Sequence, residues 1–86
     1  MMAIKTEKTK ENLILNEYKS SNILSSVYDT DSKRLQVTFK GGRTYMYDGV
    51  PRDIFNKMRL AESQGKFFNS NISRKYRYIE TTKKKS

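Results

Sequence analysis

Leu35-Gln36-Val37-Thr38-Phe39-Lys40-Gly41-Gly42-Arg43-Thr44-Tyr45-Met46-Tyr47 is the stretch that decides the fold. Leu35, Val37 and Phe39 alternate with polar residues, the period of a strand buried on one side. Gly41-Gly42 supplies the positive φ that a hairpin needs. Arg43 to Tyr47 is then the return strand, and Asp48-Gly49 ends it. The register turns on the parity of the loop. With Gly41-Gly42 as a two-residue loop, Val37 pairs with Met46 and Phe39 with Thr44, and Tyr45 and Tyr47 lie on the face away from Leu35, Val37 and Phe39. That arrangement makes an exposed pair of rings beside Arg43, like the stacking surface of an RNA-binding sheet. With an odd loop count the register shifts by one, and Tyr45 and Tyr47 join the core. In a small domain aromatic side chains are more often core.

The pattern extends outward in both directions. Ile23-Leu24-Ser25-Ser26-Val27-Tyr28 reads as a preceding strand, and Asp29-Thr30-Asp31-Ser32 as a turn, because Asp and Ser side chains bond nearby backbone. Val50-Pro51 opens a helix, with Pro51 suited to the first helical position. Ile54, Phe55, Met58 and Ala61 recur at helical spacing, and Gly65 fits the residue just past the helix end. A second short helix over Phe67 to Ile72 and a last strand around Tyr76 to Ile79 complete the set. The expected fold is α+β: a small antiparallel β-sheet, a three-strand meander plus a C-terminal strand, packed against one main helix and a short second helix. Residues 1–19 read as a polar N-terminal arm, disordered or with a short helix, since Ile14 and Tyr18 are four apart. Residues 20–80 form a single domain, and residues 81–86 a basic tail.

Composition excludes several classes of function. The 86 residues hold one small domain. The chain has no cysteine and no histidine. A disulfide scaffold, thiol chemistry and zinc sites of the usual Cys/His kind are therefore excluded. No side chain has an unperturbed pKa near neutrality, so general acid–base catalysis would need a strongly shifted carboxylate or lysine in a very small core. The expectation is a non-enzyme with no cofactor and no metal. A metal-dependent enzyme built on Asp29, Asp31 or Asp48 is the weakest alternative, because turn aspartates are common. No apolar run approaches the roughly 20 residues of a membrane helix, and the polar start of the chain lacks the apolar segment of a secretory signal. These features point to a soluble, cytoplasmic protein.

Charge supplies the functional clue. Of the net +9, the stretch from Lys66 to Ser86 contributes seven cations against one acid, Glu80, or +6. Within it, Arg74-Lys75-Tyr76-Arg77-Tyr78 interleaves cations with rings, and Lys83-Lys84-Lys85 follows. Cations attract phosphates and rings stack on bases. The candidate nucleic-acid-binding residues are Arg43, Tyr45, Tyr47, Arg74, Lys75, Tyr76, Arg77, Tyr78, Lys83, Lys84 and Lys85, with Lys40 extending the basic surface at the hairpin tip. Ser63, Asn69 and Asn71 cluster between the helices, where they could donate to a ligand, capping and turn formation being their default role.

The ordered set Ser20-Ser21-Asn22-Ile23, Tyr28-Asp29, Leu35-x-Val37-x-Phe39, Gly42, Tyr45-x-Tyr47, Val50-Pro51, Ala61-x-Ser63-x-Gly65, Phe68-Asn69, Ile72 and Tyr76 resembles the KTSC domain. That domain occurs at the C-terminus of some lysyl-tRNA synthetases and as small stand-alone proteins of bacteria and their phages. The resemblance implies nucleic-acid binding, RNA first. Ser73 stands where the family usually has Arg, with Arg74 next to it. The expected function is thus a small module that binds RNA or single-stranded nucleic acid. The alternative is a protein-binding adaptor or inhibitor, of the phage accessory kind, that docks on an acidic protein, with Leu13-Ile14-Leu15 folding into its partner's groove.

Overall fold

The alternation of Leu35, Val37 and Phe39 becomes a strand, β4 (Arg34–Phe39), which pairs antiparallel with β5 (Thr44–Tyr47). The computed structural model describes residues 4–20 and 22–81. Val37 faces Tyr45 and Leu35 faces Tyr47. The loop therefore has an odd count. The Phe39 N–H donates to the Arg43 carbonyl at 2.8 Å, closing Lys40-Gly41-Gly42, with φ of 107° at Gly41 and 97° at Gly42. Those values favour glycine, whose missing Cβ removes the clash. The register carries Tyr45 and Tyr47 onto the core face.

Upstream, β3 (Ile23–Asp29) pairs with β4. The Asp29 carboxylate shapes the turn between them, accepting from the backbone N–H of Asp31 and Ser32 and from the Asn12 amide at 2.6 Å. These donors, the Asn12 amide first, hold its carboxyl below the usual carboxylate range. Downstream come two helices, α1 (Arg52–Arg59) and α2 (Gln64–Asn71). Pro51 is the residue just before α1, in extended conformation, and Asp53 complements the helix N-terminus. Ser63 caps α2, its hydroxyl accepting from the Lys66 N–H. Gly65 therefore sits in the first turn of α2 and does not end α1. A Cβ there would lie 2.8 Å from Asn22 Nδ2, which is the reason a glycine fits. The last strand, β6 (Tyr78–Glu80), returns antiparallel beside β5.

The N-terminal arm is corrected by the structure. Residues 4–18 form a hairpin of β1 (Ile4–Lys10) and β2 (Leu13–Tyr18), and β2 pairs with β3. The sheet has six strands in the order β1-β2-β3-β4-β5-β6, two more than the sequence reading held. Ile14 and Tyr18 are on one face of a strand, where residues four apart also align. Both are buried in the core.

The helices cover a single face of the sheet. The core joins Ile14, Ile23, Tyr28, Leu35, Val37 and Tyr47 of the sheet to Val50, Phe55, Met58, Phe68 and Ile72. Tyr28 and Phe55 stack with centroids 4.4 Å apart, and the Tyr28 hydroxyl donates to the Val50 carbonyl at 2.6 Å. That bond ties the sheet to the start of α1. No helix among the described residues is long and apolar enough to cross a membrane.

Candidate nucleic-acid interface

The register that buries Tyr47 builds an aromatic layer at the β5–β6 end of the helix-covered face. Tyr47 pairs with Tyr78 across the strands, and their rings stack at 5.3 Å. Tyr45 meets Tyr78 edge-on at 5.7 Å and Phe39 at 5.8 Å. Phe68, from α2, closes the inner side, 5.2 Å from both Phe39 and Tyr47. The layer grades from closed to open. Tyr47 is only 3% exposed, Phe39 and Tyr45 are half-buried, and Tyr78 is 52% exposed. Burial, then the neighbouring Tyr78 and Tyr45 hydroxyls, push the Tyr47 phenol up to about 12. Tyr47 is thus a support beneath the layer and not a free stacking ring.

Arg43 borders this layer. The neighbouring Tyr45 hydroxyl, then Glu80, raise its pKa further. Thr81, just after β6, donates its N–H to the Thr44 carbonyl at 2.7 Å, which brings the chain's exit from β6 next to Arg43. The candidates Lys83, Lys84 and Lys85 lie outside the described residues.

Beside the layer, the hairpin tip and α2 flank a groove that the sequence reading did not assemble. Asn22, Phe39, Lys40, Gly65 and Asn69 line one part of it. Phe39, Lys40, Gly41, Arg43 and Tyr45 line the adjoining part. The Asn22 backbone is fixed: its N–H donates to Ser20 Oγ, and its carbonyl accepts from the Lys40 N–H at 2.9 Å. Of the polar trio between the helices, Ser63 caps α2 and the Asn71 amide donates to the Phe67 carbonyl, while Asn69 is exposed. The missed signal was in the motif itself. Asn22, Phe39, Gly65 and Asn69 are scattered along the chain yet border one groove.

The other sequence candidates divide. Arg74 and Lys75 are exposed in the turn after α2, where Arg74 has φ of 71° and the Lys75 N–H donates to the Ile72 carbonyl. Tyr76 packs partly against the core. Arg77 is exposed at the opposite end of β6 from Arg43, its carbonyl accepting from the Asp48 N–H. The run Arg74 to Tyr78 therefore does not form one patch. It wraps from the end of α2 to the open ring of Tyr78.

The uncovered face of the sheet carries a different surface. Across the six strands, Lys8, Leu15, Val27, Gln36, Met46 and Ile79 fall in one row of pairs. Leu15 is 39% and Ile79 64% exposed. Leu13-Ile14-Leu15 is fixed in β2, with Ile14 in the core, so it is not a free arm. Of the turn aspartates, Asp29 is held by its turn and Asp48 pairs with Arg34 at 3.1 Å.

The chain is similar to known proteins over most of its length. The KTSC domain pattern matches residues 19–76. A protein of Tsukamurella paurometabola is 37% identical over 60 residues, spanning 70% of this chain and 90% of the relative. A protein of Stutzerimonas stutzeri is 35% identical over 60 residues, spanning 69% of this chain and 84% of the relative. The crystal structure of a KTSC domain protein from Yersinia pestis superimposes with a TM-score of 0.69 at 31% identity, covering 87% of this chain and 94% of that one. The hairpin of β1 and β2 lies outside the matched pattern, while every residue of the groove lies within it. The chain belongs to the KTSC domain family.

Proposed function

We propose that this protein is a non-enzymatic module that binds RNA or another single-stranded nucleic acid through the aromatic layer at its β5–β6 end. The observation that carries the reading is the Tyr78 ring, half-exposed and backed by the buried Tyr47, with Tyr45 and Arg43 beside it. A ring held from behind offers its outer surface to a base with little entropy left to lose, and base–aromatic stacking is sequence-tolerant. A net charge of +9 gives the phosphate attraction. Arg43, Arg74, Lys75 and Arg77, together with Lys83, Lys84 and Lys85, supply phosphate contacts. No cofactor or metal is needed for this task, and the protein works in the cytoplasm.

The test is binding of labelled single-stranded RNA, single-stranded DNA and duplex DNA across a salt series. Affinity should favour single strands and fall with salt with a slope of roughly −0.7 per phosphate neutralised. Arg74→Ala/Lys75→Ala/Arg77→Ala should weaken binding and flatten that slope. Affinity no better than that of an unstructured polycation of equal charge would refute the reading.

One observation favours a second reading, a protein-binding adaptor. The row from Leu15 to Ile79 carries four apolar side chains, Gln36 and no charge, a surface better suited to protein than to phosphate. Leu15→Ser/Ile79→Ser, which leaves the net charge unchanged, separates the two readings. It should leave nucleic-acid binding intact and abolish an adaptor's contact.

A further inference from the structure

We infer that the groove between the hairpin tip and α2 receives one unpaired nucleobase of the bound strand and reads its edge through the Asn22 and Asn69 carboxamides. This rests on the nucleic-acid reading above and adds base preference to it. Three features of the groove combine. Asn22 and Asn69 are exposed at its rim, and no hydrogen bond from either side-chain amide to another described residue competes for them. A carboxamide carries a donor and an acceptor side by side, the pattern that pairs with a base edge. Phe39, half-buried and held edge-on by Phe68 and Tyr45, gives the groove an apolar floor. Lys40 and Arg43 flank the mouth, where the phosphates on either side of an inserted base would run.

The backbone shows how the groove is kept open. Gly41 and Gly42 at the tip have positive φ, a Cβ built on either would meet nothing within 4 Å, and Gly41 borders the groove together with Phe39. Gly65 leaves room for Asn22, since a Cβ would reach within 2.8 Å of its Nδ2. Asn22 is placed by its own backbone bonds to Ser20 and Lys40, so truncating its side chain leaves its position in the fold intact.

The experiment compares wild type with Asn22→Ala/Asn69→Ala and, separately, Gly65→Ala. The probes are short homopolymers of rA, rC, rG and rU, with thermal unfolding recorded for each protein. Wild type should prefer one homopolymer by about five-fold or more, the discrimination of a good edge contact. In the double variant that preference should collapse toward unity, with the salt slope and thermal midpoint unchanged. Gly65→Ala should shrink the preference too, by displacing the Asn22 amide. Salt-dependent binding without base preference in wild type, or a preference that survives in the double variant, would overturn the groove inference and leave the single-strand reading standing. Failure of wild type to bind any homopolymer more tightly than an unstructured polycation would overturn both.

Discussion

The two ends of the helix-covered face are built from the same residue types and end in different states. Under α1, Tyr28 and Phe55 lie parallel and fully buried, and every nearby hydroxyl is spoken for: Tyr28 bonds Val50, and Tyr18 meets Ser26 Oγ at 2.7 Å. Around them, Glu7 accepts both from the Asn16 amide and from Arg59 at 2.8 Å, tying the added hairpin to α1. Under α2, Tyr47 and Tyr78 stack while the other rings meet edge-on, and the layer stops short of closure, leaving Phe39 and Tyr45 half-covered and Tyr78 half-exposed. The difference teaches where each end's stacking energy goes. At the closed end it stabilises the fold. At the open end part of the ring surface stays uncovered, and the proposed function uses it for stacking.

Substitutions at the two ends should therefore separate stability from binding. The largest effect belongs to Phe55→Ala, which empties the centre of the closed end and should cost about 3–5 kcal/mol in denaturant unfolding. Its folded fraction should bind nucleic acid as wild type does. If Phe55→Ala weakened binding in proportion to Tyr78→Ala, the two ends would not be functionally distinct.

Alkaline pH acts next on the buried phenols of both ends, Tyr18 at the closed end and Tyr47 beneath the open one. Burial, opposed by the Ser26 hydrogen bond and the Arg59 charge, pushes the Tyr18 phenol from 10 up to about 12. Above pH 10 the unfolded chain releases this proton and the folded chain keeps it. Stability from Tyr18 is thus fully present below pH 10 and is lost as pH rises through 12, amounting to about 3 kcal/mol. A denaturation series from pH 9 to 12 should show this decline, and Tyr18→Phe should lessen it. A decline of equal size in Tyr18→Phe would assign it to other groups.

At the open end the expectation reverses. Tyr78→Ala removes a half-exposed ring, so stability should fall by about 1 kcal/mol or less, while binding of single-stranded RNA should weaken by about 1–3 kcal/mol. The smallest effect is expected away from both ends. Arg34 and Asp48 form an exposed pair, and Arg34→Ala should change stability by about 0.5 kcal/mol or less with no change in binding.

The sequence revealed the centre of the fold more readily than its margins. The strand from Leu35 to Phe39, the helix that Val50-Pro51 opens (its first residue being Arg52, one later than expected) and the antiparallel α+β class followed from period and turn chemistry. Loop parity did not, because Gly41-Gly42 can serve a two-residue turn or, with Lys40, a three-residue one; the structure takes the second. The N-terminal hairpin was hidden for a related reason. Ile14 and Tyr18 share a face in a helix and in a strand alike, and β1 offers only Ile4 as an apolar residue. Its Thr and charged residues suit an exposed edge strand, whose lysines discourage pairing with another chain. The site was legible in part. Arg43, Tyr45 and Tyr78 come together, whereas Arg74 and Arg77 are separated by the return of the chain into β6. The groove was not legible, because Asn22, Phe39 and Asn69 are joined only by the packing of α2 on the sheet.

Chemical-shift mapping of the labelled protein with a single-stranded RNA oligonucleotide tests the central claim most directly. Binding at the open aromatic end predicts shifts concentrated at Phe39 to Tyr45 and Tyr78 to Thr81, with Tyr28 and Phe55 unmoved. Shifts along Leu15, Val27, Met46 and Ile79, or none beyond those a simple polyanion produces, would contradict it.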